Sequence, residues 1–159
     1  MGLANGYLRS FRVVVVREPN RREETSVQDS LGNTVTTSSE EALRLIERAI
    51  DLHARGWPGA LETSEAAANE DPALAIAHAL QALIHGMWGR RALAESAMTR
   101  ALQLARHASA RERSLLELLE HVLRGRTQAG LAWLLAHVRR FPSDLLALTT
   151  GVGAYGLFA

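Results

Sequence analysis

The sequence predicts an all-α fold: a right-handed superhelix of antiparallel helical hairpins, preceded by a short N-terminal extension holding one strand. Three observations predict it. Alanine supplies 26 of the 159 residues and leucine 25, while aromatics make up only 5% and there are four prolines. That mixture favours helices over sheets, which draw on β-branched and aromatic side chains. From Thr37 onward, apolar residues recur at helical spacing between brief Gly and Pro interruptions. Pro72 and Pro142 stand 70 residues apart, about two turns of a repeat near 35 residues.

The chain divides near residue 38. Val13 to Val16 form a β-branched run with strand character, and the polar stretch from Glu18 to Ser30 reads as loop or disorder. The lone strand has no evident partner downstream, so residues 1–28 are expected to be loosely attached or to add an edge to something else; if ordered, they would lie along the helical body. Residues 39–159 are expected to form the helical domain. Ser38 or Ser39 caps a first helix whose first turn carries Glu40 and Glu41, and Gly56 ends it. Pro58 suits the first turn of a second helix running to Asn69. A third, strongly apolar helix spans Ala73 to Trp88, and a fourth runs from Arg90 to His107. A fifth spans Arg111 to Leu123, ending at Gly125, and a sixth Thr127 to Arg140. Pro142 opens the last segment, with Ser143 and Asp144 in its first turn.

Small residues fall where paired helices touch. Ala60 and Ala67 do so in the first unit, Ala82, Ala94 and Ala101 in the second, and Gly130 in the third; Leu118 and His121 are bulkier than the pattern prefers. Small side chains let backbones approach, and neighbouring hairpins then bury a common core. This is a tetratricopeptide-like solenoid pattern.

Charge and composition exclude several functions. There is no cysteine, so disulfides, thiol nucleophiles and thiolate metal sites are absent. No membrane or secretion segment is evident and a cytoplasmic location is expected. The net charge is +1, yet residues 40–71 hold eight acids against three arginines, and residues 90–140 hold ten arginines against four acids. All 18 basic residues are arginine, as a GC-rich bacterial genome would give. No cofactor, no metal and no catalysis are expected. His78 and His85 lie seven apart on one helix face, roughly 10 Å along the axis and too far for one ion; His121 is the third histidine within reach. Ser64, Ser96, Ser109 and Ser114 lack a nucleophile elbow, and Glu117 with Glu120 reads as a charged helix face. The glycine-rich run from Gly151 to Gly156 follows a helix instead of a strand, unlike a dinucleotide loop.

The arginines are the stronger candidates. Arg90 and Arg91 start the fourth helix, where they oppose its dipole, and Arg111 and Arg113 start the fifth. With Trp57 and Trp88 near element ends, they form a candidate surface for a protein or peptide partner of acidic character. Trp133 is expected to pack between hairpins. Leu145, Leu146, Leu148, Val152, Tyr155, Leu157 and Phe158 offer an apolar end that would cap the array or pair with a second copy. Nucleic acid is disfavoured, because Glu112, Glu117 and Glu120 interrupt the basic stripe.

Three blocks resemble the tetratricopeptide repeat protein 38-like family: Asp29 to Ala42, Asp71 to Ala79, and the tract from Ala110 through Phe141-Pro142-Ser143-Asp144 to Tyr155. The likeness covers residues 29–159 and corresponds to the N-terminal portion of longer helical solenoids; truncation, a gene fragment and a degenerate paralogue all fit. It implies a scaffold, with no assigned chemistry. The family's His-Asp pair ahead of the tyrosine is replaced here by Val152 and Gly153. The expected function is a non-catalytic protein-interaction or scaffold module offering its inner-helix surface. The alternatives are a homo-oligomeric structural protein and a nucleic-acid-binding module acting through residues 90–140.

Overall fold

A computed structural model describes residues 25–152. A two-stranded hairpin, β1 (Ser26–Gln28) and β2 (Thr34–Thr36), precedes seven α-helices among the described residues. These are α1 (Glu40–Ala54), α2 (Ala60–Glu70), α3 (Ala75–Met87), α4 (Arg91–Leu104), α5 (Ala110–Leu123), α6 (Thr127–Arg140) and α7 (Leu145–Val152). A 3-10 turn at Ala105–His107 extends α4. The described chain is thus mostly helical, as the alanine and leucine content predicts.

Local chemistry sets the helix ends. Ser39 Oγ accepts from Ala42 N at the start of α1. Ser109 forms a full capping box with Glu112 at the start of α5, which answers two orphan N–H groups at once. The helices α1, α3 and α5 all stop in the same way. Gly56, Gly89 and Gly125 take φ of 65°, 69° and 65°, and the following N–H of Trp57, Arg90 and Arg126 reaches back to the Leu52, His85 and His121 carbonyls at 2.9 Å. Glycine adopts this left-handed closure without the Cβ penalty.

Two helix starts differ from the sequence expectation. Pro58 precedes α2 instead of sitting inside it, because Gly59 at φ 94° provides the entry turn. Ala73 lies in a turn closed by Asp71, whose Oδ1 accepts from Ala73 N, so α3 begins two residues later. The residues preceding α1, α3, α5 and α7 are Ser39, Leu74, Ser109 and Asp144, a constant interval of 35 residues.

Packing follows from that order. Successive helices pair through short turns, and α3 also packs on α5, while α7 touches α6, α5 and α1. The first helix of each pair therefore meets that of the next, and α7 also meets α1. Leu43 and Ile46 from α1, Ile76 and Leu80 from α3, Leu115, Leu118 and Leu119 from α5, and Leu146 from α7 are fully buried. Ala60, Ala67, Ala82, Ala94, Ala101 and Gly130 are buried too. At Gly86 an added Cβ would come within 2.6 Å of Leu123 Cδ2, so the C-terminal ends of α3 and α5 abut. Gly151 likewise leaves its space to the Leu134 side chain, which accounts for a glycine inside α7 despite its cost in helix propensity.

The hairpin corrects the loop or disorder expected at Ser26–Gln28, which form a paired strand; residues 1–24 lie outside the described residues. Ser26, Val27 and Gln28 pair with Thr36, Val35 and Thr34, and Val35 is buried in the helical core. Thr36 donates its N–H to Glu112 Oε1 at 3.1 Å and its hydroxyl to Oε2 at 2.6 Å. Thr37 Oγ1 donates to Asp71 Oδ2 at 2.6 Å, and Asn33 Nδ2 to the Ser143 carbonyl at 3.1 Å. The hairpin thereby joins the turns that enter α3, α5 and α7. Val13 to Val16 lie outside the described residues.

Glu112 is the buried anchor of this junction. Replacing it with Ala orphans Thr36 N–H and removes the capping box, and is expected to lower stability by about 2–4 kcal/mol. Urea unfolding measures this; a loss under about 1 kcal/mol would show that the hairpin does not depend on Glu112.

Candidate functional site

The start of α7 lies over a buried cluster of ionisable groups. Arg111 and Asp144 keep only 4% and 0% of their side-chain surface exposed, and Arg111 Nε donates to Asp144 Oδ2 at 2.7 Å. Arg111 Nη1 also donates to the Thr34 carbonyl at 3.2 Å. The same Asp144 oxygen lies 3.1 Å from Nε2 of the fully buried His137, and Asp144 Oδ1 accepts from Ala147 N at 3.3 Å. On the far side of the ring, His137 Nδ1 lies 2.9 Å from Ser114 Oγ.

The proton positions follow from the partners. An ionised carboxylate only accepts, so His137 Nε2 carries the proton and donates to Asp144. In the tautomer with the proton on Nε2, Nδ1 accepts from the Ser114 hydroxyl. Burial by itself raises the Asp144 carboxyl, but the His137 hydrogen bond and the Arg111 charge outweigh it and lower it from 3.8 to about 2.

The order Ser114, His137, Asp144 matches the connectivity of a hydrolytic relay, but its setting differs. Asp144 is shared with Arg111, His137 has no exposed side-chain surface, and Ser114 lines neither of the two described cavities. What the row does in this geometry is tie α5, α6 and α7 together. Trp133 Nε1 adds a bond to the Ser114 carbonyl at 2.9 Å, a contact within the α5–α6 hairpin and not the contact between hairpins that the sequence suggested.

The candidate partner residues separate into two groups. Arg111 is corrected: the ion pair with Asp144 takes it into the interior, where it cannot meet a partner. Arg113 is half-buried and folds back, Nη1 donating to the Ala108 carbonyl at 2.6 Å. Arg90, Arg91, Trp57 and Trp88 are exposed. Trp57 and Trp88 are 59% and 52% accessible, and each carries an arginine over its ring: Arg55 at 5.4 Å and Arg90 at 4.6 Å from the centroid. Arg91 pairs with Glu95 at 3.3 Å. These residues belong to the turns after α1 and α3; the equivalent turn after α5 carries Arg124 and Arg126, both near Glu120.

Of the apolar end, Leu146 is corrected to a core residue, Leu145 is half-buried and Leu148 is exposed. Val152 closes α7, while Tyr155, Leu157 and Phe158 lie outside the described residues. His85 and His121 each bury an Nδ1 without a partner. No group of three or more His, Asp or Glu among the described residues is placed to hold a metal ion. Likewise, no helix among them is long and apolar enough to cross a membrane.

Sequence reasoning missed His137 and the burial of Asp144. The signal was the 35-residue interval from Ser109 to Asp144, which marks Asp144 as a helix-entry residue and not an exposed acid. Comparison with family models, curated proteins and solved structures found no match.

The depressed Asp144 pKa fixes the sign of its pH dependence. Stability from this group is complete above its unfolded value near 3.8 and is lost as pH falls through about 2. The expected loss over that window is about 2 kcal/mol. Asp144→Asn should flatten that part of a stability-against-pH curve; an unchanged slope would contradict the assignment.

Proposed function

We propose that this chain is a non-catalytic protein-interaction module whose binding surface is the edge formed by its helix-hairpin turns. The observation that carries the reading is the pair of exposed Trp–Arg stacks, Trp57 with Arg55 and Trp88 with Arg90. Trp and Arg are the side chains most enriched at binding hot spots. Arg90 forms no ion pair among the described residues, so an acidic group can approach it without displacing a partner. Exposed Met87, next to Trp88 in the chain, and exposed Leu93 in the first turn of α4 add apolar surface. The partner is thus a protein segment that combines carboxylates with apolar side chains.

The inner-helix surface is a poorer candidate, because α1 and α7 meet across it. The finer fold reading, a tetratricopeptide-like solenoid related to the 38-like family, is part of the same proposal. It is supported by the constant 35-residue interval between helix-entry residues. The Ser114–His137–Asp144 row is read as a structural tie.

Fluorescence anisotropy with a labelled peptide of alternating Glu and Leu tests the surface. Trp88→Ala and the double change Arg90→Glu, Arg91→Glu are each expected to weaken binding by about tenfold or more. Absence of binding to the unaltered chain, or affinity indifferent to both changes, would overturn the reading.

Exposed Leu135 and Leu148 on α6 and α7 favour a second reading, self-association through the last helices. Light scattering over a concentration series should then show mass rising above 17.4 kDa, and Leu135→Arg should abolish the rise. A constant monomer mass would remove this reading.

A further inference from the structure

The seam where α7 meets α1 holds a cleft of about 410 Å³, within the size range of small-molecule sites. Its walls come from the β1–β2 loop, α1 and the first residues of α7, and Arg111 lines it from α5. The apolar part is Leu31, Ile50, Leu145 and Leu146. The charged part has both signs, and its members differ in how far the fold already uses them.

Asp29 is fully committed within the loop, accepting from Leu31 N, Asn33 N and Asn33 Nδ2. Both oxygens of Asp51 face Arg55 Nε, at 2.8 and 2.9 Å. Arg111 spends Nε on Asp144 and Nη1 on Thr34. Glu47 gives Oε1 to Ser30 N and keeps its other oxygen. Arg48 is exposed and makes no hydrogen bond or ion pair among the described residues. The cleft therefore presents one partly free carboxylate and one free guanidinium, adjacent on α1, beside a wall of Leu and Ile.

We infer that this seam binds a small zwitterion with a branched apolar body, an α-amino acid of the leucine class. Its ammonium pairs with Glu47, its carboxylate with Arg48, and its side chain lies on Ile50 and Leu145, with Leu31 at the rim. A simple carboxylate would leave Glu47 unmatched and close to its own charge. A simple amine would do the same to Arg48. Only a ligand carrying both signs matches the lining, and the apolar wall supplies the driving force for its body. Because the cleft joins α1 to α7, its occupant would also bridge the first and last helices of the described chain. This site is separate from the turn edge, so either can fail without the other.

The test is titration of the full chain, followed by NMR amide shifts, with three probes of one shape: L-leucine, 4-methylpentanoate and 3-methylbutylamine. Leucine is expected to give saturable shifts in the β1–β2 loop, α1 and the start of α7, with the two single-charge probes weaker by about tenfold or more. Arg48→Ala and Glu47→Gln should each weaken leucine by a similar factor. Gln at 47 keeps the acceptor for Ser30 N, and Arg48 has no hydrogen-bond or ion-pair partner among the described residues, so both variants should melt like the parent chain. Absence of saturable shifts with leucine up to its solubility would overturn the inference. So would equal binding of all three probes, or leucine binding unaffected by both variants.

Discussion

One carboxylate fixes the last described helix to the two before it. Asp144 stands at the entry to α7 and accepts from Arg111 on α5, from His137 on α6 and from the first turn of its own helix. A buried carboxylate without such partners would be costly. Here its bonds make the position of α7 specific, and α7 in turn meets α1. Arg111 extends the constraint to the hairpin through the Thr34 carbonyl. Such an ion pair is weak evidence for net stability over an apolar alternative, but removing one partner strands the other in the interior.

Around that point the architecture is economical. The same left-handed glycine closure ends α1, α3 and α5, and the same 35-residue interval separates their entries. Turns at one end therefore align Trp57, Trp88 and the arginines beside them. Turns at the other end align the groups that the hairpin joins: Asp71, Ser109 with Glu112, and Ser143. One end is built to be covered by the chain itself, and the other is left to solvent with aromatic and cationic side chains displayed. That asymmetry is why the turn edge, and not the inner helix surface, is the proposed meeting place for a partner.

Much of the fold was legible in the sequence, because helix boundaries here are written in local chemistry. Ser39, Gly56, Gly89 and Gly125 mark ends through caps and backbone freedom, and alanine marks close approach. The two short strands were not legible: Ser26–Gln28 and Thr34–Thr36 are mostly polar, and β2 is bonded to Glu112, distant in sequence. Arg111 and Arg113 differ by two positions and read alike as surface charge. On a helix that spacing turns one toward α7 and leaves the other at the rim, a distinction only tertiary packing makes. Trp57 and Trp88 were legible as exposed ends because each adjoins a turn. Leu146 was not separable from Leu148 without knowing which face of α7 meets the core.

The measurement that bears most directly on this account is a double-mutant cycle in urea over Arg111→Ala, Asp144→Ala and their combination. If the Arg111–Asp144 pair is the closure of the array, each single change leaves a buried charge unmatched. The combined change should then cost less than their sum by about 1–3 kcal/mol. Strictly additive losses would show that the two groups act independently, and that something other than their contact holds α7 in place.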